Sequence, residues 1–187
     1  MSKFNTYTDS VDLSAWHELC MAEGKLRHFR KGEVFAGRGK KLRYFGLVVK
    51  GYFKYVVTDT EGDSHITGFT FGNELVGDFL SIVSGETVKT NIIAACNADV
   101  MLCHADVLRR NIGHYYNLRC MMAESLFRQA YNLYIELHVK SPKERYLALL
   151  KRCPDILQHI TLKEMSSFLQ ITPTHLSRIR RELTFGM

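Results

Sequence analysis

Residues 160–183 read Ile-Thr-Leu-Lys-Glu-Met-Ser-Ser-Phe-Leu-Gln-Ile-Thr-Pro-Thr-His-Leu-Ser-Arg-Ile-Arg-Arg-Glu-Leu, and two helix starts stand out in them. Thr161 followed by Glu164 is a capping box, in which a hydroxyl accepts from the third backbone N–H and the carboxylate reaches back to the cap. Thr172-Pro173 is a second start, an N-cap before a proline whose missing N–H is tolerated at the first helical position. Leu162, Met165, Phe168, Leu169, Ile171, Leu176, Ile179 and Leu183 give the pair a buried side, and small Ser166 falls where steeply crossing helices approach closely. Two short helices joined in this way make a helix-turn-helix, whose second helix enters the major groove of duplex DNA. Its outward positions carry Thr174, His175, Ser177, Arg178, Arg180 and Arg181. Arginine bonds guanine N7 and O6 with two parallel N–H groups, so Arg178 is the expected base reader, with Thr174 and His175 adjusting it. Lys163, Thr172, Ser177, Arg180 and Arg181 are the expected phosphate contacts, which set register and salt dependence. An ordinary helical hairpin with a solvated basic face has the same pattern. Gln170 also stands where such turns usually carry a glycine, the residue that adopts positive φ without strain.

Upstream, Ser141-Pro142 with Glu144 repeats the capping signature, and Tyr146, Leu147, Leu149 and Leu150 supply a buried face before Cys153-Pro154 breaks the run. The segment 142–187 is small for an independent core, so it is expected to lean on the helix before it. That helix is legible from Asn117 to Lys140, a stretch without glycine or proline. Met122, Leu126, Ala130, Leu133 and Leu137 recur at steps of three and four and share one helical face. A second stripe, Cys120, Ala123, Phe127, Tyr131 and Tyr134, runs beside it. Either the helix touches only its own sheet, or one stripe packs on the sheet and the other on a twin helix in a dimer.

Before this helix the punctuation changes. Ten of the thirteen glycines lie between Gly32 and Gly85, among valines, phenylalanines and tyrosines. Runs of β type, Tyr44–Val49, Tyr52–Val57, His65–Phe71, Asn91–Ala95 and Val100–His104, alternate with turns such as Lys50-Gly51 and Thr60-Glu61-Gly62-Asp63. Short strands at this spacing predict an antiparallel sandwich or barrel. The fold class expected is α+β: a β domain over residues 1–110, a long helix over 111–140 and a helical unit over 142–187.

The 187 residues are 46% hydrophobic and 24% charged, ordinary for a chain that forms a core. No apolar run approaches the ~20 residues of a membrane span, and the polar start from Met1 to Asp12 lacks a secretory signal, so a cytoplasmic protein is expected. Five scattered cysteines without a C-x-x-C pair point to reduced thiols, with no disulfide framework or structural zinc. The formal charge of +6 is unevenly placed: residues 1–110 carry 14 basic and 13 acidic side chains, and 142–187 carry 8 and 4. The excess sits at the end expected to meet a polyanion.

This order of parts resembles the CRP/FNR family of bacterial transcription regulators over nearly the whole chain, from Leu26 to Leu183. The likeness rests on Lys31-Gly32-Glu33, on Tyr44-Phe45-Gly46-Leu47-Val48-Val49-Lys50-Gly51 and on Phe71-Gly72-Asn73-Glu74-Leu75-Val76-Gly77. At the other end it rests on Ile171-Thr172-Pro173-Thr174-His175-Leu176-Ser177-Arg178-Ile179-Arg180. It implies a jelly-roll sensor of the cyclic-nucleotide-binding type and a homodimer paired through the long helix. It further implies double-stranded DNA as partner, a small-molecule effector, and RNA polymerase as a further partner. The dimer helix would use Met122, Leu126, Ala130, Leu133 and Leu137. The effector pocket would involve Phe71, Gly72, Glu74, Leu75, Lys89 and Thr90.

The departures bear on the effector. Relatives that bind cyclic AMP hold the ribose with a glutamate, matched by Glu74, and neutralise the phosphate with an arginine about ten residues later. No arginine lies between Arg43 and Arg109. Lys89 and Thr90 are the substitutes, and a lysine lacks the planar fork that grips phosphate, so cyclic AMP is not the expected effector. Only Cys20 stands near the N-terminus, too few thiols for an iron–sulfur cluster. His104 and His114 are read as structural rather than haem-binding. No H-x-H pair supports a metal-dependent barrel enzyme, so no catalysis, metal or cofactor is expected. The competing reading is a ligand- or protein-binding module whose terminal hairpin no longer reads DNA.

Overall fold

Alternating apolar side chains and glycine turns fold residues 25–104 into two antiparallel sheets of four strands each. The computed structural model describes residues 4–111 and 116–185. The strands are β1 (Lys25–Phe29), β2 (Val34–Ala36), β3 (Tyr44–Lys50), β4 (Phe53–Thr58), β5 (Ser64–Thr70), β6 (Leu75–Val76), β7 (Asn91–Ala94) and β8 (Ala98–His104). One sheet runs β1-β8-β3-β6 and the other β2-β7-β4-β5, the interleaved order of a jelly roll. Between them Phe29, Val48, Phe53, Ile92 and Val100 belong to the first core. Gly46 is required where β3 meets β8, because a Cβ there would lie 2.4 Å from Val100 Cγ1. Gly51 turns β3 into β4 at φ +81°.

α1 (Ser14–Glu23) covers the outer face of the first sheet with Trp16 and Cys20, which is why β3 is buried on both faces from Phe45 to Val48. A short α2 (Phe79–Ser84), capped by Asp78 on Ser81 N–H, leads into β7. After β8 come α3 (Ala105–Asn111) and α4 (Tyr116–Val139). Residues 112–115 of the expected helix 111–140, His114 among them, lie outside the described residues. α5 (Pro142–Arg152) opens on the Ser141–Glu144 capping box, and α6 (Leu162–Phe168) and α7 (Pro173–Phe185) follow.

The helical unit does not lean on α4, as its small size led us to expect. It docks on the outer face of the second sheet, where Tyr52, Val56, Ile66, Phe69 and Phe71 join Tyr146, Ile156, Met165, Leu169, Leu176 and Ile179 in a second core. The reason lies in a bulge. Tyr55 pairs with Gly68 while Val56 pairs with Ile66, so Thr67 is an extra residue and Ile66 and Phe69 turn to the same side. Met122 and Leu126 of α4 pack against the first core instead.

Candidate nucleic-acid interface

The cap signals read from the sequence are the ones the structure uses. Thr161 Oγ1 accepts from Glu164 N–H and Glu164 returns to the Thr161 backbone at 3.0 Å, fixing the start of α6. His175 N–H donates to Thr172 Oγ1 at 3.1 Å, fixing the start of α7. Between them Gln170 adopts φ +55°, the left-handed geometry that glycine usually supplies, and Ile171 N–H closes the turn on Ser166 carbonyl at 3.0 Å. Ser166 is buried at the crossing. Leu176 and Ile179 point α7 into the second core, and this sets its opposite face. Thr172, Thr174, Ser177, Arg178 and Arg181 are exposed there, with Lys163 exposed on α6, while His175 and Arg180 are half-buried. Among the described residues no carboxylate pairs with Arg178, Arg180 or Arg181, and the one acid of α7, Glu182, turns aside to Lys143 at 3.5 Å. The outer side of α7 is therefore a cationic surface whose donors are free for a polyanion.

This surface is tied to the rest of the chain through Glu164. Besides its cap, Glu164 accepts from Tyr52 Oη at 3.1 Å, just before β4, and from Lys54 Nζ at 3.0 Å, within it. Burial pushes the Glu164 carboxyl up, but the Thr161 N–H and the Lys54 ammonium outweigh it and hold it below the usual carboxylate range. Burial, reinforced by the Glu164 charge, raises the Tyr52 phenol. Ser167 Oγ accepts from Ile66 N–H at 2.9 Å, satisfying a backbone donor at the bulge of the sheet's edge strand. Arg145 donates to Lys140 carbonyl at 2.8 Å and Leu169 carbonyl at 3.0 Å, capping the ends of α4 and α6 together.

Two further surfaces matter. On α4 the stripe Phe127, Tyr131 and Tyr134 stands 69%, 53% and 58% exposed. Phe127 and Tyr131 stack at 5.9 Å. Of the other stripe, Met122 is buried, Leu126 packs on the first core, Ala130 is exposed, and Leu133 and Leu137 line a cavity of about 900 Å³ bordered by β5 and α6. A smaller cavity of about 320 Å³, between the roll and the N-terminal segment, α1 and α4, is lined by Tyr7, Trp16, Tyr55, Leu75, Thr90 and Met122, among others, with no lysine or arginine among its described lining residues. Thr90 Oγ1 is buried there without a hydrogen-bond partner. Phe71, Gly72 and Glu74 border a separate recess beside α1. The structure does not bring Lys89 to any of these: it lies on the surface, paired with Glu86 at 2.9 Å. Glu74 is buried, and its carboxylate is engaged by Asn5 Nδ2 at 2.8 Å and Phe71 N–H at 2.9 Å.

Solved structures of regulators share this architecture. FixK2 from Bradyrhizobium japonicum superposes with a TM-score of 0.76 at 21% identity, over 87% of this chain and 85% of that one. A regulator from Eubacterium rectale assigned to the crp/fnr family gives 0.67 at 16% identity, over 98% and 88%. CLP from Xanthomonas campestris, described as a c-di-GMP responsive global regulator, gives 0.66 at 11% identity, over 92% of both chains. The chain has the CRP/FNR fold. At the level of sequence, no family model and no curated protein matches it. The CRP/FNR fold places Glu74 in the turn between β5 and β6, but the arginine partner is missing from the sequence and Lys89 does not replace it in space. Among the described residues no cluster of histidine, cysteine or carboxylate side chains is placed to hold a metal ion. Nor is any described helix long and apolar enough to cross a membrane. The sequence reading missed Tyr52, Lys54, Arg145 and Asn5, since each acts through a partner far away in the chain. Glu164, conspicuous in its capping box, and Glu74, in the Phe71–Gly77 motif, are the signals that lie beside Tyr52, Lys54 and Asn5.

Proposed function

We propose that this chain is a DNA-binding transcription regulator of the CRP/FNR type, acting as a homodimer on a pseudo-palindromic site. The observation that carries the reading is the outer face of α7, where Arg178 and Arg181 stand exposed and unpaired on a helix held by two caps and a buried apolar side. Arg178 reads bases with Thr174 and His175 beside it, and Lys163, Thr172, Ser177, Arg180 and Arg181 hold phosphates. In this reading 1–110 is the sensor, 111–140 the stalk and 142–187 the reader.

Pairing falls to the stripe Cys120, Ala123, Phe127, Tyr131 and Tyr134, because Met122 and Leu126 are already covered by the chain's own roll. An exposed aromatic row along one helix is the surface a twin helix covers. The small cavity, lined without a cation, suits a neutral or apolar occupant and not a cyclic nucleotide.

Selection of bound duplexes from a random pool, followed by footprinting, tests the proposal. The expected result is a site with two half-sites centred one helical turn apart, ~34 Å. No enrichment at low ionic strength, or a monomer by sedimentation, overturns it and leaves the ligand- or protein-binding module.

A further inference from the structure

Residues 4–10 cross the molecule where roll, stalk and reader meet, and they bond to all three. To the roll, Asn5 donates from Nδ2 to Glu74 Oε2 at 2.8 Å and to Phe69 carbonyl at 2.9 Å, and Asn5 itself is 5% exposed. To α4, Asn5 Oδ1 accepts from Gln129 Nε2 at 3.2 Å, and Gln129 Oε1 accepts from Thr6 Oγ1 at 3.0 Å and Tyr7 N–H at 3.1 Å. The Ser10 and Ser125 hydroxyls add a second tie at 2.9 Å. To α5, Phe4 carbonyl accepts from Arg152 Nε at 3.0 Å and Asp9 pairs with Arg152 Nη1 at 3.0 Å. The Phe4 ring then packs edge-on against Phe69 and Phe71 of the roll and Phe168 of α6, with centroids 5.5, 5.6 and 5.3 Å away.

We propose that this segment is a strap that works as the chain's internal effector, fixing the position of the DNA-reading unit relative to roll and stalk. Asn5 holds roll and α4 at once, the Phe4 ring holds roll and α6, and Asp9 holds α5, so a movement of any one of these elements breaks contacts of the strap. Releasing Asn5 leaves the Glu74 carboxylate buried with one donor fewer, which disfavours an unseated strap while the roll stays closed. Phe4 and Thr6 border the 900 Å³ cavity, and Asn5 and Tyr7 border the 320 Å³ cavity. A small molecule entering either cavity would touch the strap, which gives an external signal a route to the reader. The regulatory consequence rests on the DNA-binding reading, whereas the mechanical coupling does not.

Hydrogen exchange on the full chain without DNA tests the coupling, comparing wild type with Asn5→Ala and Phe4→Ala. The expected result is exchange at least tenfold faster in residues 161–171 and 125–133, with β8 unchanged. Acceleration confined to residues 4–13 would make the strap passive, and acceleration that includes β8 would make it merely stabilising. Either result overturns the proposal. Should Asn5→Ala fail to fold, Phe4→Ala, which leaves the Asn5–Glu74 bond in place, decides the matter by the same criteria. On a selected duplex, Asn5→Ala is expected to weaken binding at least fivefold, because a mobile reader loses its preset spacing. Unchanged or tighter binding overturns the regulatory role. If wild type binds no DNA, the functional reading fails while the exchange result still judges the strap.

Discussion

Glu164→Gln isolates the contact that docks the reader on the roll, because it keeps the side chain's shape and removes only its charge. Glu164 Oε2 serves Thr161 N–H at 3.0 Å, Thr161 Oγ1 at 3.0 Å and Tyr52 Oη at 3.1 Å, while Oε1 serves Lys54 Nζ at 3.0 Å. A glutamine that keeps its oxygen on the first three donors must present an NH₂ to the Lys54 ammonium, donor against donor. Breaking a fully buried pair costs ~3–5 kcal/mol, and an exposed pair is worth at most ~1 kcal/mol. With side chains 10% and 27% exposed, this pair lies nearer the buried limit. The expected loss is therefore ~2–3 kcal/mol, read from urea unfolding as a lower midpoint at constant slope. A double-mutant cycle with Lys54→Met separates the charge interaction from the capping role and should return a coupling of ~1–2 kcal/mol. A coupling indistinguishable from zero would mean that the pair behaves as solvated, and the docking argument built on it would fall.

The same carboxylate predicts a pH dependence. Its folded pKa is depressed, so its stabilisation is fully present above the unfolded value of ~4.3 and is lost as pH falls through the folded value. The gap in stability between wild type and Glu164→Gln should narrow on acidification below that value, and a gap constant down to pH ~3 would contradict the assignment. Gln170→Gly removes the strain of an L-residue at φ +55° and should stabilise the fold by up to ~1 kcal/mol, or ~2–4 °C in Tm. A lower Tm would show that the glutamine side chain compensates for the strain. Arg178→Ala should cost ~1–3 kcal/mol and relax preference at one base pair, whereas Arg181→Ala should weaken all duplexes alike and flatten the salt slope by ~1; footprinting and anisotropy across a salt series tell them apart. Tyr131→Glu places a charge in the middle of the exposed aromatic stripe and should shift a dimer toward monomer in sedimentation, with the monomer's thermal unfolding little changed.

Local chemistry was legible from end to end. Caps at Ser141, Thr161 and Thr172 need only residues three positions apart, so the helix starts they announce are the ones observed. Glycine turns marked the hairpins for the same reason. Positions of a few strands and helices escaped, among them α1 and β1, because their apolar residues follow neither period cleanly. What lay beyond the sequence was which surfaces meet. Strict alternation would set Ile66 and Phe69 on opposite sides of β5, and one extra residue at the bulge puts them together under the reader. The two stripes of α4 were visible, but only the packed roll shows that Met122 faces inward and Tyr131 outward.

Asn5 and Glu74, Tyr52 and Glu164, and Phe4 and Phe168 are each brought together from far apart in the chain. Helix caps, turns and the basic stripe of α7 are short-range matters of backbone donors and spacing, and the sequence determines them unaided. The docking of the reader on the sheet, the closure of Glu74 by the strap and the choice of the free helix face were decided by tertiary packing. They depend on which apolar surfaces find each other when the whole chain excludes water, and no local window contains that information.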